Sequence, residues 1–581
     1  MTAPARPAGS IRARMDRSRH PISLADGGSG ADGGAGGAGA EGAGGGAGGE
    51  GAAGGEGAEG VTRRSLLAGG AAGAGALAFT RSPARAATAA GRALEPIIRD
   101  GAFAHGVGSG QPGRRSITLW TRVDGIERSG RLELEIARDP QFKSLVHRQR
   151  VCAASFRDFT VRQRVESRRL KAGEEYYYRF ATGTQDSPVG RFVTARPPDS
   201  REPVRIGFFS CQDYQAGYYT ALAGLAKEPD LDLIVCLGDY VYERTYYVGP
   251  PERKDTLGAN GDAEVQTLAE YRQKYRLYRT DADLQAIHSA APFMAIWDDH
   301  EVEDDYAGDR PGEATGQVRV PFSQRRRNAY LAFYENMPME VVRADPNRLY
   351  RTLRLGGLVD LLLLDTRQYR DDQPCGDQIG RPCPEDEAPG RTLLGQTQKA
   401  WLKGNLESSR AAWKVVANQV MIMSLDAVPG VALNHDQWDG YGAERRDLLR
   451  FVGDRAIKDV AFITGDIHTF FAGQVHPGGR QSTGPSVATE FVGGSVTSLG
   501  IGPTLGLSDQ QAAPLVNNAT ALNPHLRYAN FADRGYGVLE ARPDELRVEF
   551  KSPQTTQQPT NPIRTLARFR VPRGTPRVER A

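Results

Sequence analysis

The chain has 581 residues, which exceeds the length of a single small core and predicts two domains. Its 73 basic and 70 acidic residues leave a net charge of +3, which gives no electrostatic argument for nucleic-acid binding. Charged residues make up 25% of the chain, the usual share in soluble globular proteins. We therefore expect a globular protein without specific nucleic-acid binding. We also expect a monomer.

Residues 1–93 have the features of an export signal rather than those of a folded domain. Residues 26–60 are almost all Gly, Ala and Glu and offer nothing to bury, so we expect disorder. The pair Arg63-Arg64 precedes a weakly apolar stretch, and residues 84–86 match a small-residue cleavage site. This pattern resembles a twin-arginine signal and predicts passage through the twin-arginine export machinery. The mature protein would then be periplasmic, associated with the cell wall or secreted.

A short membrane anchor is the alternative for the same stretch. The stretch is short and rich in glycine compared with the ~20 apolar residues that a membrane span needs. Because no later segment resembles a span, we expect none in the mature protein.

The chain has five cysteines, and this odd number leaves at least one thiol unpaired in a monomer. Cys375 and Cys383 flank a Gly/Pro-rich loop, which predicts a local disulfide in an exported protein. A zinc knuckle is the alternative, although no other Cys or His lies nearby in the sequence. We expect Cys152, on a strand, and Cys236, in an apolar run, to be packing residues.

Residues 94–198 have an all-β pattern. The segments 117–123, 131–139, 158–166 and 175–183 alternate apolar and polar residues, and Gly, Pro and Asp separate them. Four or more short strands in about 100 residues predict a small sandwich of the immunoglobulin or fibronectin type. Pro197-Pro198 marks the linker to a second domain at 199–581.

In this second domain, short apolar runs alternate with helical segments. We expect helices at 268–290, 324–337 and 393–409, between strands such as 204–210 and 359–367. Strands that alternate with helices predict an α/β (α+β) architecture, with a mixed sheet or two packed sheets covered by helices. The tail returns to strands.

Acidic residues and a histidine follow several of these apolar runs. Asp239, Asp299, Asp466 and His468 each lie just past a run that reads as a strand buried on both faces. Because ligands in open α/β sheets bind at the carboxyl ends of the strands, we expect these side chains to converge. A cluster of negative charge is costly unless cations neutralise it, so the pattern predicts a metal centre with more than one ion.

The donor types around Asp239 divide into two groups. Cys211, Asp239, Tyr242 and His468 would offer sulfur, oxygen and nitrogen, a set that suits trivalent iron. Asp466 and His468 are two residues apart and would face the same side of a strand.

The second group contains oxygen donors only. Asp239, Asp299, Asn418 and Asp466 would prefer calcium, magnesium or manganese over zinc. Capping of a turn is the alternative role for Asn418.

Six segments in order carry a resemblance to a known family: SCQDY, GDYVYE, WDDHE, LLLDTRQYR, DQWDGY and GDIH. Following a twin-arginine signal, they resemble the PhoD-like alkaline phosphatases, within the calcineurin-like metallophosphoesterases, over roughly residues 94–570. The resemblance implies a four-layer metallophosphoesterase-type β-sandwich flanked by helices, preceded by the small β domain. It also implies Fe3+ held by Cys211, Asp239, Tyr242 and His468, and Ca2+ held by Asp239, Asp299, Asn418 and Asp466.

Two adjacent cations imply in-line attack on phosphorus by a hydroxide or oxide between them. His300 would protonate the leaving group or bind the phosphate, and Asp298 would orient His300. Arg367 is the candidate phosphate clamp, because a guanidinium matches phosphate in a bidentate manner. An ion pair between Arg367 and a carboxylate is the alternative.

We therefore expect a secreted alkaline phosphatase with phosphodiesterase capacity, acting on phosphomonoesters and phosphodiesters. One alternative is a dedicated phosphodiesterase, either phospholipase D-like or a teichoic-acid hydrolase. The other is a non-enzymatic, calcium-dependent surface-binding protein, which would have no use for Cys211 and Tyr242.

Overall fold

From residue 95 onward, the predicted strands form four main sheets. The structure is a computed structural model, and it describes residues 95–247, 250–312, 317–376, 378, 380–478, 484–504 and 506–581. The predicted disordered segment, twin-arginine signal and cleavage site lie outside these residues.

The first part of the described chain contains seven strands in two sheets. A three-stranded sheet has the order β1-β2-β5, and a four-stranded sheet has the order β4-β3-β6-β7. Apolar side chains from both sheets share one core, as the alternation predicts; in β6, for example, Tyr176, Tyr178 and Phe180 are buried. The strands are β1 (Val107–Gly113), β2 (Ser116–Arg122), β3 (Gly130–Ala137), β4 (Leu145–Ala153), β5 (Thr160–Glu166), β6 (Glu175–Ala181) and β7 (Gly190–Val193).

The remainder of the described chain contributes two seven-stranded sheets and one short hairpin. The first large sheet has the order β10-β9-β8-β20-β21-β22-β23, the second β11-β12-β13-β16-β18-β17-β19, and β14 pairs with β15. The strands are β8 (Val204–Phe209), β9 (Leu233–Cys236), β10 (Phe293–Ala295), β11 (Arg351–Leu355), β12 (Val359–Leu363), β13 (Trp413–Asn418), β14 (Asp426–Val428), β15 (Val431–Ala432), β16 (Val460–Thr464), β17 (Phe470–Val475), β18 (Ala488–Gly493), β19 (Leu526–Asn530), β20 (Tyr536–Ala541), β21 (Glu545–Pro553), β22 (Ile563–Pro572) and β23 (Glu579–Arg580).

The two large sheets pack face to face, and helices cover their outer faces. Along β12, Leu361 and Leu363 join the core shared with the first sheet, whereas Leu362 and, one residue past the strand, Leu364 join the core under the helices at 395–408 and 442–454. Successive side chains of a strand point to opposite faces, so this alternation places the second sheet between two cores. The helices are α1 (Thr220–Leu225), α2 (Leu268–Tyr278), α3 (Ala282–Ala290), α4 (Phe322–Asn336), α5 (Gly395–Ser408), α6 (Gly442–Asp454), α7 (Ile501–Thr504) and α8 (Asp509–Leu522).

The predicted helix at 268–290 is in fact two helices, α2 and α3. The Asp281 carboxylate caps α3 by accepting hydrogen bonds from the backbone N–H groups of Asp283 and Leu284, both at 2.9 Å. An aspartate at this position favours a new helix start over continuation, because its side chain competes for the backbone donors. The predicted helices at 324–337 and 393–409 correspond to α4 and α5.

The parallel strands position the candidate site. β8, β9 and β10 run parallel in one sheet, and β12, β13 and β16 run parallel in the other. Their carboxyl ends meet at one edge of the packed sheets, so the segments that follow them lie together.

The smaller β region packs directly on the helices of the larger one. The Trp120 indole N–H donates to the Glu335 carbonyl at 2.7 Å, and the Arg279 guanidinium lies over the Trp120 ring, 3.9 Å from its centroid. The described residues from 95 onward belong to one compact unit. Of the helices in the described part of the chain, none has the length and apolar character that crossing a bilayer requires.

The cysteine predictions are confirmed except at one position. Cys375 and Cys383 form a disulfide, and Cys236 is buried in the core. Cys152 lies on β4 as expected, but the prediction that it is a packing residue is wrong, because its side chain is exposed.

Candidate metal centre and active site

Three strand ends bring the first predicted donor group together. Cys211 follows β8, Asp239 and Tyr242 follow β9, and His468 follows β16. Donor atoms of Cys211, Asp239 and His468 lie within 4.8 Å of one another. The Tyr242 phenol oxygen is 3.0 Å from Asp239 Oδ2 and 3.3 Å from His468 Nε2. A thiol, a phenol, a carboxylate and an imidazole therefore face one point.

The His468 ring is oriented by a second contact. Its Nδ1 lies 3.0 Å from the Leu499 carbonyl oxygen. An Nδ1–H that donates to this carbonyl leaves the Nε2 lone pair directed at Tyr242 and Asp239, the arrangement typical of a metal-binding histidine.

Asp466 and His468 do not lie on a strand, contrary to the prediction. β16 ends at Thr464, and both residues adopt positive φ angles, 62° and 54°, in the following bend. They reach the same centre because the backbone turns sharply, not because side chains alternate along a strand.

Burial raises the pKa of two candidate ligands. The pKa of the Cys211 thiol is well above its usual value because of burial and the nearby Asp239 carboxylate. Burial, Asp239 and Cys211 raise the pKa of the Tyr242 phenol in the same way. Both groups therefore need a compensating positive charge to be present as thiolate and phenolate.

Two members of the second predicted group, Asp299 and Asp466, lie in a cluster of carboxylates. Their oxygen atoms and those of Asp298 lie within 4.8 Å of one another, and Asp466 is the half-buried member. Within the described part of the chain, Asp239 Oδ1 and Asp299 Oδ1 are buried and accept no hydrogen bond, although Asp299 Oδ1 lies within ion-pair distance of Arg367. A buried carboxylate oxygen without a donor is costly, and an oxygen-preferring cation would satisfy it.

Asn418 is the buried last residue of β13. It pairs in register with Thr464, two residues before Asp466. Its Oδ1 accepts a long hydrogen bond of 3.4 Å from the Trp438 indole, and its Nδ2 donates to the Val420 carbonyl. Its role as a ligand stays a prediction.

Arg367 forms ion pairs with carboxylates, which is the alternative to phosphate binding that the sequence analysis gives. Its guanidinium is fully buried and donates to both oxygens of Asp436, at 2.8 and 2.7 Å, and to Asp298. The same group lies 3.3 Å from Asp299 Oδ1 and 3.4 Å from Asp466 Oδ1. Arg367 therefore neutralises part of the carboxylate cluster, and a contact with phosphate stays a prediction.

His300 is held by Glu243 and not by Asp298. Its Nδ1 is 3.0 Å from Glu243 Oε2, and its ring stacks on Tyr242 with centroids 4.3 Å apart. Burial lowers the pKa of His300, but Asp299, Asp239 and Glu243 together raise it well above the usual value. Asp298 is instead bonded to Arg367.

Several supporting residues have no clear signal in the sequence. Gln437 donates to Asp466, and the Ser498 hydroxyl lies 2.7 Å from the Tyr242 phenol oxygen. The buried Glu301 carboxylate accepts from the backbone N–H groups of Asp239, Tyr240 and Asp298, at 3.1, 2.5 and 2.7 Å. Glu301 thus ties together the two loops that carry the acidic ligands. Only its place in WDDHE, beside the predicted ligand Asp299, hints at the site.

The donor set fits metal ions in two ways. Sulfur, phenol and imidazole donors suit a trivalent or borderline ion, whereas the carboxylate group suits a hard divalent ion. Asp239 lies near donors of both kinds, since its carboxylate is close to Cys211 and His468 and also to Asp299, so it would contribute to holding either ion.

Comparisons with known proteins agree with this geometry. Residues 206–550 match the family model of PhoD-like phosphatases, and residues 87–196 match that of the N-terminal domain of PhoD-like phosphatases. The chain is 37% identical over 487 residues to alkaline phosphatase D of Bacillus subtilis (strain 168), covering 80% of each protein.

A solved structure of PhoD matches this chain with a TM-score of 0.74 and 34% identity, covering 82% of this chain and 92% of that one. This match and the four layers described above confirm the predicted metallophosphoesterase-type fold. The chain therefore belongs to the PhoD-like phosphatase family, and it is a phosphoester hydrolase of the alkaline phosphatase type.

Proposed function

We propose that this hydrolase works with two unlike cations, Fe3+ and Ca2+. The iron would be held by Cys211, Asp239, Tyr242 and His468, and the calcium by Asp239, Asp299, Asn418 and Asp466. The observation that carries this proposal is the convergence of a thiol, a phenol and an imidazole beside carboxylates with unsatisfied oxygens.

The residues around the donors have separate tasks in phosphate-ester hydrolysis. When bound, the cations supply an activated water for in-line attack and positive charge for the phosphate oxygens. His300, held by Glu243, is the candidate proton donor to the leaving oxygen. Arg367 holds Asp298 and Asp436 in place, and it is our candidate for a direct contact with the phosphate.

The site residues support the hydrolysis of phosphomonoesters and phosphodiesters. Stabilisation of the transferring phosphoryl group relies on its oxygens, which both ester classes present. Parallel assays with p-nitrophenyl phosphate and its bis ester test this, and turnover of only the diester would instead favour a dedicated phosphodiesterase.

We also propose that the protein leaves the cytoplasm by the twin-arginine pathway. Support comes from the Arg63-Arg64 pair, the weakly apolar stretch and the small-residue motif at 84–86. Replacing both arginines with lysine should retain the enzyme in the cytoplasm, as measured by activity in fractionated cells. Unchanged export of this variant would contradict the proposal.

Elemental analysis tests the metal assignment. Protein made in its own export pathway should contain near-stoichiometric iron, and Cys211→Ala should lose both iron and phosphatase activity. Cys236→Ala is the matched control, because Cys236 is equally buried but lies within β9, in the core. Iron retained in full by Cys211→Ala would exclude the thiol as a ligand.

A further inference from the structure

A second group of potential metal ligands surrounds the Cys375–Cys383 disulfide. Donor atoms of Cys383, Asp386 and His435 lie within 4.8 Å of one another, and all three side chains are buried. The sequence alone disfavours a zinc knuckle at these cysteines because no histidine is nearby. The fold supplies His435 from a segment 52 residues beyond Cys383.

The Nε2 atom of His435 faces Cys383 and Asp386. Its Nδ1 lies 3.0 Å from the Gln378 carbonyl oxygen, so an Nδ1–H donor leaves the Nε2 lone pair facing Cys383 and Asp386. In the part of the chain that the structure describes, Nε2 has no hydrogen-bond partner, and its nearest carboxylate oxygen is Asp386 Oδ2 at 3.5 Å. The side chain is fully buried, so a ring nitrogen without a hydrogen bond lowers the stability of the folded state.

Cys383 and Asp386 are placed on one side by local structure. Residues Pro384–Glu387 form a 3-10 turn that begins directly after Cys383, and the Asp386 N–H donates to the Cys383 carbonyl. Residues three apart in such a turn lie on the same side, so sulfur and carboxylate face His435 together.

We propose that reduction of the disulfide converts this cluster into a tetrahedral zinc site with Cys375, Cys383, Asp386 and His435 as ligands. Two sulfurs, one nitrogen and one oxygen form a donor set that suits zinc and disfavours calcium or magnesium. Two molecules of a small thiol reduce the disulfide by thiol–disulfide exchange: they supply two electrons and two protons, leave as their own disulfide, and convert Cys375 and Cys383 into two thiols. Zinc then displaces the two thiol protons and binds the thiolates.

The site has a route to solvent and a connection to the active centre. Cys375 is half-buried, so a reductant and a metal ion can reach the sulfurs from outside. His435 directly precedes Asp436, whose carboxylate is bonded to Arg367 and Arg370. An ion held at His435 would therefore anchor the segment that carries this carboxylate.

Cobalt(II) titration of the purified full chain tests the proposal. Metal-stripped protein is titrated in the oxidised state and after treatment with a phosphine reductant, and the two visible spectra are subtracted. We expect the difference spectrum to show absorption bands of a tetrahedral thiolate site that reach their maximum at one further equivalent of cobalt, and zinc to abolish these bands. The subtraction removes any contribution from Cys211, because its thiol is present in both states.

Variants assign the ligands. The double variant Cys375→Ser/Cys383→Ser should lose the reduction-dependent bands, and His435→Gln should weaken cobalt binding at least about tenfold. Circular dichroism of the oxidised His435→Gln protein checks that the fold is retained. Identical spectra before and after reduction, the same bands in the double variant, or undiminished affinity in His435→Gln would overturn the proposal. None of these results depends on the iron content that tests the active centre.

Discussion

Four candidate ligands share a backbone conformation that is uncommon outside glycine. Cys211, Asp239, Asp466 and His468 have φ angles of 59°, 55°, 62° and 54°. A positive φ costs a non-glycine residue of order 1–3 kcal/mol, so the surrounding structure must hold these residues in place. At Asp239 the loop is held by the Glu301 carboxylate, and at Cys211 by the Ser498 hydroxyl, which donates to its carbonyl at 3.0 Å. Strain at this centre is thus balanced by contacts between separate strand ends.

Gly238 permits the close approach of the two acidic loops. It has a φ of +119°, and a Cβ at this position would lie 2.6 Å from Asp298 Cβ. We expect Gly238→Ala to destabilise the protein by about 2–5 kcal/mol through strain and overpacking, and to lower activity by displacing Asp239.

Urea unfolding with Gly125→Ala as the control checks this prediction. Gly125 also has a positive φ, +74°, but a Cβ there meets no described atom within 4 Å. Gly125→Ala should therefore lower the free energy of unfolding by only about 1 kcal/mol. If both variants lose the same free energy of unfolding, the contact with Asp298 does not explain the effect of Gly238→Ala.

At the scale of elements, strands were the easier prediction and helix boundaries the harder one. The apolar runs at 204–210 and 359–367, and the run just before Asp466, contain β8, β12 and β16, because strands buried on both faces leave a continuous apolar signal. The tail holds the predicted strands but also α8 (Asp509–Leu522). The helical pattern at 268–290 conceals a break, because one apolar stripe continues across α2 and α3 while the capping aspartate interrupts the backbone.

Asp281→Ala tests the role of this cap. The substitution removes two backbone hydrogen bonds at the start of α3 and the ion pair with Arg253 at 2.6 Å. We expect a loss of about 1–2 kcal/mol in the free energy of unfolding. Asp283→Ala, in the first turn of the same helix, should change stability by no more than about 0.5 kcal/mol. A larger effect for Asp283 than for Asp281 would contradict this account of the helix break.

At the scale of the whole molecule, buried histidines link stability to pH. Burial lowers the pKa of His525 to about 4, even though its Nε2 donates to the Ser424 carbonyl at 2.8 Å. His525 is therefore neutral when folded but titrates near 6.5 when unfolded, so its contribution is complete above pH 6.5. That contribution is lost as the pH falls from 6.5 to 4, because the unfolded chain binds the extra proton first.

His525→Gln isolates this contribution. The glutamine Nε2 can keep the hydrogen bond to Ser424 but does not titrate. Between pH 7 and pH 4.5, wild type should lose about 2–3 kcal/mol more stability than the variant, as measured by urea unfolding at both pH values. Parallel stability curves for the two proteins would show that His525 does not contribute to acid sensitivity.

The strands, the acidic residues that follow them and the family resemblance can be predicted from the order of amino acids, because these signals are local. The order of amino acids also placed Cys211, Asp239, Tyr242 and His468 in one group, since the carboxyl ends of parallel strands meet at one edge. Only the tertiary structure brought Glu243 to His300, Asp436 to Arg367, and His435 to the Cys375–Cys383 disulfide. These partners lie tens of residues apart or more on loops, where no periodic pattern records which side chains meet.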